Sequence, residues 1–139
     1  RIGIFGWSFG GYLSSLAILK GNDVFKTAIA VAPVTTWRYY NTIYTERFLR
    51  RPQENAEGYD QNSPINFANR LKGNYLIVHG TGDDNVHLQN AIDMITALQK
   101  EGKQFDMQLY PDCNHSILGY ENRLHLYTRI CDFIKRNTK

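Results

Sequence analysis

Ile2-Gly3-Ile4-Phe5-Gly6-Trp7-Ser8-Phe9-Gly10-Gly11-Tyr12 decides how the rest of the chain is read. Its first six residues form an apolar run of strand length, which predicts a short buried strand at Ile2–Trp7. Residues 11–20 then carry Tyr12, Leu13, Leu16, Ala17 and Leu19 at helical spacing, with Gly21 placed to end the helix. Between the two stands Gly6-Trp7-Ser8-Phe9-Gly10, a Gly-x-Ser-x-Gly. A serine on a sharp strand-to-helix turn has a strained backbone and an exposed hydroxyl, and glycines two positions to either side leave room for that turn. A glycine turn that merely connects two elements is the plainer alternative. The three letters alone arise by chance in about one chain in twenty of this length, so it is the strand before and the helix after that give the motif weight. Gly11 then allows the helix to pack closely on the sheet.

The same alternation of strand and helix continues outward. Residues 27–32 are a small-apolar, β-branched run closed by Pro33, the pattern of a strand covered on both faces, and residues 75–78 repeat it. Between them, residues 37–48 read as helical, residues 51–61 as a polar loop, and Ser63-Pro64 as the cap and first position of a short helix. Leu88, Ile92, Ile95 and Leu98 fall at helical spacing, with Asn85 a candidate cap and Gly102 a stop after Lys100. Residues 105–110 alternate and predict a half-exposed strand near the sheet edge; a last helix places Leu124, Tyr127, Cys131 and Ile134 on one face. The sum, βαβ(αα)βαβα, is an α/β sandwich around a mainly parallel sheet with helices on both faces. No internal repeat or linker divides it.

Composition narrows the function classes. At 139 residues, 42% hydrophobic and 21% charged, the chain is one globular domain with a core of its own, not a disordered or low-complexity segment. The longest apolar run, residues 28–34, is far short of the roughly 18 residues of a membrane span. A net charge of +3, with Lys and Arg scattered, offers no phosphate-tracking patch, so nucleic acid is not an expected partner. Cys113 and Cys131 are expected as free thiols, and two cysteines do not diagnose a compartment. Arg1 opens the chain without a charged-then-apolar leader, so neither a signal peptide nor a natural start is expected there. Half of the aromatic residues are tyrosine, which suits a pocket wall as well as a core.

A serine hydroxyl needs a histidine to take its proton and a carboxylate to hold that histidine in one tautomer. In α/β sheets such partners sit on loops at the carboxyl ends of strands. Two loops qualify: His79-Gly80-Thr81-Gly82-Asp83-Asp84-Asn85 after one strand and Pro111-Asp112-Cys113-Asn114-His115-Ser116 after the next. Asp83 lies closer to its strand than Asp84, which reads as a capping or solvated carboxylate. His115 sits in a loop, whereas His79 closes a strand and reads as a satisfied structural residue, His87 starts a helix and His125 lies inside one. Asp112, Cys113 and His115 match no zinc spacing, so no metal and no cofactor are expected. Trp37, Tyr40, Tyr44 and Phe48 recur at helical spacing, which fits core packing and a pocket wall equally well.

Gly6-Trp7-Ser8-Phe9-Gly10-Gly11-Tyr12, Val31-Ala32-Pro33-Val34, the run from Trp37 to Tyr44-Thr45-Glu46-Arg47, and His79-Gly80-Thr81 with Asp83-Asp84-Asn85-Val86-His87 resemble the dipeptidyl peptidase IV family of prolyl oligopeptidase-type serine peptidases, nearly end to end. The resemblance implies an α/β-hydrolase fold, of which residues 1–139 are the C-terminal part of the catalytic domain. It implies a triad of Ser8, Asp83 and His115, and an oxyanion donor in the Phe9 amide. It further implies a pocket for the substrate proline lined by Val34, Trp37, Tyr40, Tyr44 and Val86, with Asn85 bonding the substrate backbone. By the same likeness the substrates are peptides with proline second, the protein is a homodimer and its setting is periplasmic or extracellular. The upstream strands, a second oxyanion donor and a β-propeller that binds the free amine would all lie outside this chain. Phe9 stands where the family commonly has tyrosine, and Asn114 precedes the histidine where an acidic residue is frequent.

The expected activity is therefore that of a serine exopeptidase cleaving after a penultimate proline. Another α/β-hydrolase, such as an esterase or a prolyl tripeptidyl or oligopeptidyl peptidase, and a non-catalytic hydrolase-like binding domain are the alternatives.

Overall fold

The computed structural model describes residues 2–138. Strands β1 (Ile2–Trp7), β2 (Phe25–Val31), β3 (Asn74–Gly80) and β4 (Asp106–Tyr110) lie side by side in chain order, every pair parallel. The helices are α1 (Phe9–Lys20), α2 (Thr42–Leu49), α3 (Ala56–Gln61), α4 (Gln89–Lys100) and α5 (Tyr120–Asn137), with tighter 3-10 stretches at Trp37–Tyr39 and Pro64–Arg70. Parallel strands need crossovers, and here the crossover helices α1 and α4 cover one face of the sheet while α5, which follows the last strand, covers the other.

Because successive strand residues point to opposite faces, each central strand feeds two cores. Ala28, Ala30, Tyr75 and Ile77 pack with Ile18 and Leu19 of α1 and with Ala91, Met94 and Leu98 of α4. Ile29, Val31, Leu76 and Val78 pack instead with Leu126, Ile130 and Phe133 of α5. Small residues on β2 let α1 approach: a Cβ on Gly11 would stand 2.7 Å from the Val31 carbonyl oxygen, which is why the second residue past the elbow turn is glycine.

All carboxyl ends of the strands open on one rim, and each loop leaving a strand is tied to the neighbouring strand. Ser8 N–H donates to Val31 O (2.8 Å), Ala32 N–H to Val78 O (2.8 Å) and Thr81 N–H to Tyr110 O (2.9 Å). Of the five non-glycine residues with positive φ among the described residues, Ser8 (58°), Ala32 (45°) and Asp112 (56°) lie on this rim, beside Ile117 (46°) further along the last loop and Arg50 (60°) at the end of α2. Strain gathered this way marks a site.

Several expectations from the sequence need correction. Within residues 2–138 β1 has one neighbour, β2, and Ile2 and Phe5 are about half exposed in this chain where a buried strand was expected. The stripe of Leu124, Tyr127, Cys131 and Ile134 faces outward; α5 meets the sheet through Leu126, Ile130 and Phe133. In α4 the inner face is Ala91, Met94, Ile95 and Leu98, and Ile92 is exposed. Asn85 does not cap α4, which begins after Leu88. The polar stretch 51–61 contains α3, whose cap Asn55 accepts from Gly58 N–H. Residues 37–48 are two pieces, broken at Tyr40 by extended backbone (φ −94°, ψ 158°) before Asn41 caps α2. Ser63 precedes its helix as expected but makes no capping bond; its hydroxyl donates to Tyr59 O and accepts from Trp37 N–H. At the end of α4, Gly102 (φ 63°) donates to Gln99 O and Lys103 to Leu98 O, the paired bonds of a Schellman stop.

Candidate active site

The elbow forms because Gly6 and Gly10 meet backbone to backbone. A Cβ on Gly6 would overlap Gly10, so the turn closes only with glycine at position 6. Gly10 differs from the expectation: among the described residues a Cβ there meets nothing within 4 Å outside its own helix, so the crowding that demands glycine lies at Gly6. Ser8 sits at φ 58°, ψ −116°, at the head of α1. The first amides of a helix have no intrahelical acceptor, and Phe9, directly after Ser8, is the first residue of α1, so its N–H lies at the positive end of the helix dipole.

The two loops expected to supply partners converge on that hydroxyl. His115 Nε2 lies 2.9 Å from Ser8 Oγ, and His115 Nδ1 lies 2.8 Å from Asp83 Oδ2. An ionised carboxylate only accepts, so Nδ1 carries the proton; the Nε2 lone pair is thereby turned toward the serine O–H. The Asp83 side chain is fully buried and the imidazole is 19% exposed, so the relay runs from the interior to the rim. Of the competing aspartates, Asp84 is exposed and outside the relay. His87 is exposed, and His125, on α5, pairs with Tyr110 Oη at the end of β4. Among the described residues, no group of three or more His, Cys, Asp or Glu side chains is placed to hold a metal ion.

Beside Ser8 the aromatic residues close around a small hollow. Trp37 stacks on Tyr44 (centroids 6.0 Å apart, planes at 22°), while Tyr40 meets both edge-on. Val34, Trp37 and Val86 are buried in the same cluster. Ser8, Phe9, Val34, Trp37, Tyr40 and Tyr44 line a cavity of about 120 Å³. Since a liquid water occupies about 30 Å³, this admits a group the size of a small apolar ring. Phe9, Trp37 and Tyr44 also border a second hollow of about 400 Å³. The break at Tyr40 matters here, because it lets Tyr40 Oη donate to Asn85 Oδ1 at 2.8 Å. Asn85 is left with its Nδ2 hydrogens to offer.

The family model described as the prolyl oligopeptidase family matches residues 1–139. The chain belongs to the prolyl oligopeptidase family. Within that family it is similar to prolyl endopeptidase FAP of Mus musculus (44% identity over 98% of this chain and 18% of that protein). It is also similar to dipeptidyl aminopeptidase B of Saccharomyces cerevisiae (41%, over 98% and 17%). A crystal structure of Porphyromonas gingivalis dipeptidyl peptidase 4 superposes with a TM-score of 0.96 at 52% identity, over 99% of this chain and 20% of that one. The chain thus spans about a fifth of the length of the relatives it matches. The neighbours establish the α/β-hydrolase fold expected from the elbow and the parallel sheet.

In this member of the prolyl oligopeptidase family the electrostatics of Asp83 are settled by competing effects. Burial by itself pushes its carboxyl up; the hydrogen bonds from His115, from His79 and from the Asn85 amide, with the charge of His115, outweigh burial and hold it well below the usual carboxylate range. The two departures from the family's pattern are benign in geometry. The Phe9 ring packs on Tyr12 and Trp37, and Asn114 Oδ1 accepts from Ser116 N–H, shaping the turn behind His115.

Three supporting contacts escape the sequence. Trp7 Nε1–H donates to His115 O (2.9 Å), tying the elbow to the histidine loop. Buried Asn90 accepts from Thr35 N–H (3.0 Å) and donates to His87 O (3.1 Å), joining the loop before Trp37 to the head of α4. His79, expected to be a satisfied structural residue, is buried with its Nδ1 unpartnered among the described residues. The His79/Asp83 spacing of four across Gly80-Thr81-Gly82 is a signal that could have found such a pair.

Proposed function

We propose that this chain is the C-terminal catalytic part of a serine exopeptidase that releases N-terminal dipeptides after a penultimate proline. The observation that carries the reading is the continuous Ser8–His115–Asp83 hydrogen-bond relay beside an apolar hollow. His115 Nε2 takes the Ser8 proton as Oγ bonds to the substrate carbonyl carbon. Phe9 N–H donates to the oxygen that gains charge. His115 then gives the proton to the departing amine as the C–N bond breaks, leaving an acyl group on Ser8; a water deprotonated by His115 releases it. The proline ring would occupy the hollow lined by Val34, Trp37, Tyr40 and Tyr44, with Val86 behind it and Asn85 Nδ2 donating to the substrate carbonyl. One oxyanion donor is typically worth about 10²–10³ in rate, so the isolated 139 residues, offering Phe9 alone, should be nearly inactive.

The relatives' names divide between dipeptidyl peptidase and prolyl endopeptidase, which keeps an internal prolyl peptidase as a second reading. Turnover of a glycyl-proline anilide, its N-acylated form and a short acyl ester by the full-length protein tests both. Cleavage of the free-amine anilide alone supports the exopeptidase. Efficient cleavage of the N-acylated anilide supports the endopeptidase, and cleavage of the ester alone refutes both.

A further inference from the structure

Asp83 accepts three hydrogen bonds, and a fourth N–H stands close to its carboxylate. Oδ1 receives the N–H groups of Asn85 (2.9 Å) and Val86 (3.0 Å). Oδ2 receives His115 Nδ1–H at 2.8 Å, and His79 Nε2 stands 3.4 Å from that same oxygen. His79 Nε2 is also 2.7 Å from Val86 O. A carbonyl can only accept, so Nε2 bears the proton and donates it to Val86 O, with the same N–H standing beside Asp83 Oδ2. The buried Nδ1 has no partner among the described residues, so the Nε2–H tautomer is the one that the surroundings satisfy.

The geometry points to His79 as the positioning residue of Asp83, a role that rests on the triad reading above. The ring stands at the end of β3 and reaches the loop at two points, the Val86 carbonyl and the carboxylate, while the Val86 amide closes the circuit on Oδ1. A carboxylate held by backbone amides on one oxygen alone could swing its other oxygen away from His115. The His79 N–H confines that oxygen to the line on which His115 Nδ1 donates. Its contact with Oδ2 is the longer of the two, so it orients the oxygen without displacing His115 from it.

The test uses three variants of the full-length protein, each assayed for kcat and KM on the glycyl-proline anilide and for melting temperature. His79→Phe keeps a ring and removes the donor. His79→Gln places an amide N–H where Nε2 stood, and His79→Asn places one where Nδ1 stood. The expected result is a kcat lowered by about 10–10² in the Phe and Asn variants with KM within about twofold, because a misaligned relay impairs the chemical step and not the pocket. The Gln variant should return to within about fivefold of the unmodified protein. Gln and Phe variants of equal activity, or rates that follow melting temperature regardless of where the donor lies, would overturn the assignment. Ser8→Ala is assayed alongside. If it retains activity the triad reading itself fails; if it is inactive while His79→Phe turns over normally, the role of His79 alone fails.

Discussion

Gly80 is where the loops carrying Asp83 and His115 touch, and a single methyl group there should uncouple them. A Cβ on Gly80 would lie 2.8 Å from the Asn114 carbonyl oxygen and closer still to that of Cys113. An ordinary carbon contact is about 3.5 Å, so in Gly80→Ala the histidine loop has to retreat by about 1 Å. The Ser8–His115 separation of 2.9 Å would then open toward the limit of hydrogen bonding. Misplacement of a reacting group by about 1 Å costs about 10² in rate, or about 2.7 kcal/mol in the barrier. The assay is kcat on the proline anilide with the full-length protein, with a melting curve to show that the fold survives. Gly10→Ala is the contrast: it lies in the elbow motif, yet its Cβ meets nothing within 4 Å, so the loss should stay below about tenfold. A Gly80→Ala protein within twofold of normal, or a Gly10→Ala protein damaged more than Gly80→Ala, would refute the reasoning.

Asp83→Asn should lower turnover by about 10⁴ through loss of the correct imidazole tautomer, whereas exposed Asp84→Asn should stay close to normal; steady-state rates of the two variants decide it. Because the Asp83 carboxyl is held below its usual range, its contribution to stability is complete above about pH 4 and is lost as the pH falls through its folded value. The gap in melting temperature between the protein and Asp83→Asn should therefore be widest above about pH 4 and narrow in acid, and a gap that widens in acid contradicts the sign. Asn90→Ala strands the buried Thr35 N–H, which costs about 1–3 kcal/mol, and it frees the loop leading to Trp37; a lower melting temperature with a raised KM is expected. Trp7→Phe removes the bond to His115 O, worth about 1 kcal/mol, and should lower kcat a few-fold with little change in KM.

What the sequence revealed and what it hid follow from the range of the interactions involved. The elbow, Asp83 and His115 were legible because strand ends can be read locally and a parallel sheet brings every carboxyl end to one rim. The aromatic wall was legible only as an ambiguity, since spacing does not tell a core from a pocket; the break at Tyr40, which turns that ring to Asn85, has no periodic signature. The face of α5 was misread because its apolar residues form two stripes at helical spacing, and only the sheet beneath Phe133 chooses between them. The apolar run of β1 fits a strand covered on both sides, and within this span it pairs with β2 alone. The contacts of Trp7, Asn90 and His79 join residues through backbone carbonyls or amides, groups that every residue carries and no motif records.

The account stands on a Ser8 hydroxyl made nucleophilic by His115, and labelling by a fluorophosphonate reads that property directly. Peptide mapping of the full-length protein should place the label on Ser8, with His115→Ala slowing the reaction by about 10³ or more and unfolding in urea abolishing it. Label carried by another serine, or by Ser8 at the same rate without His115, would contradict it.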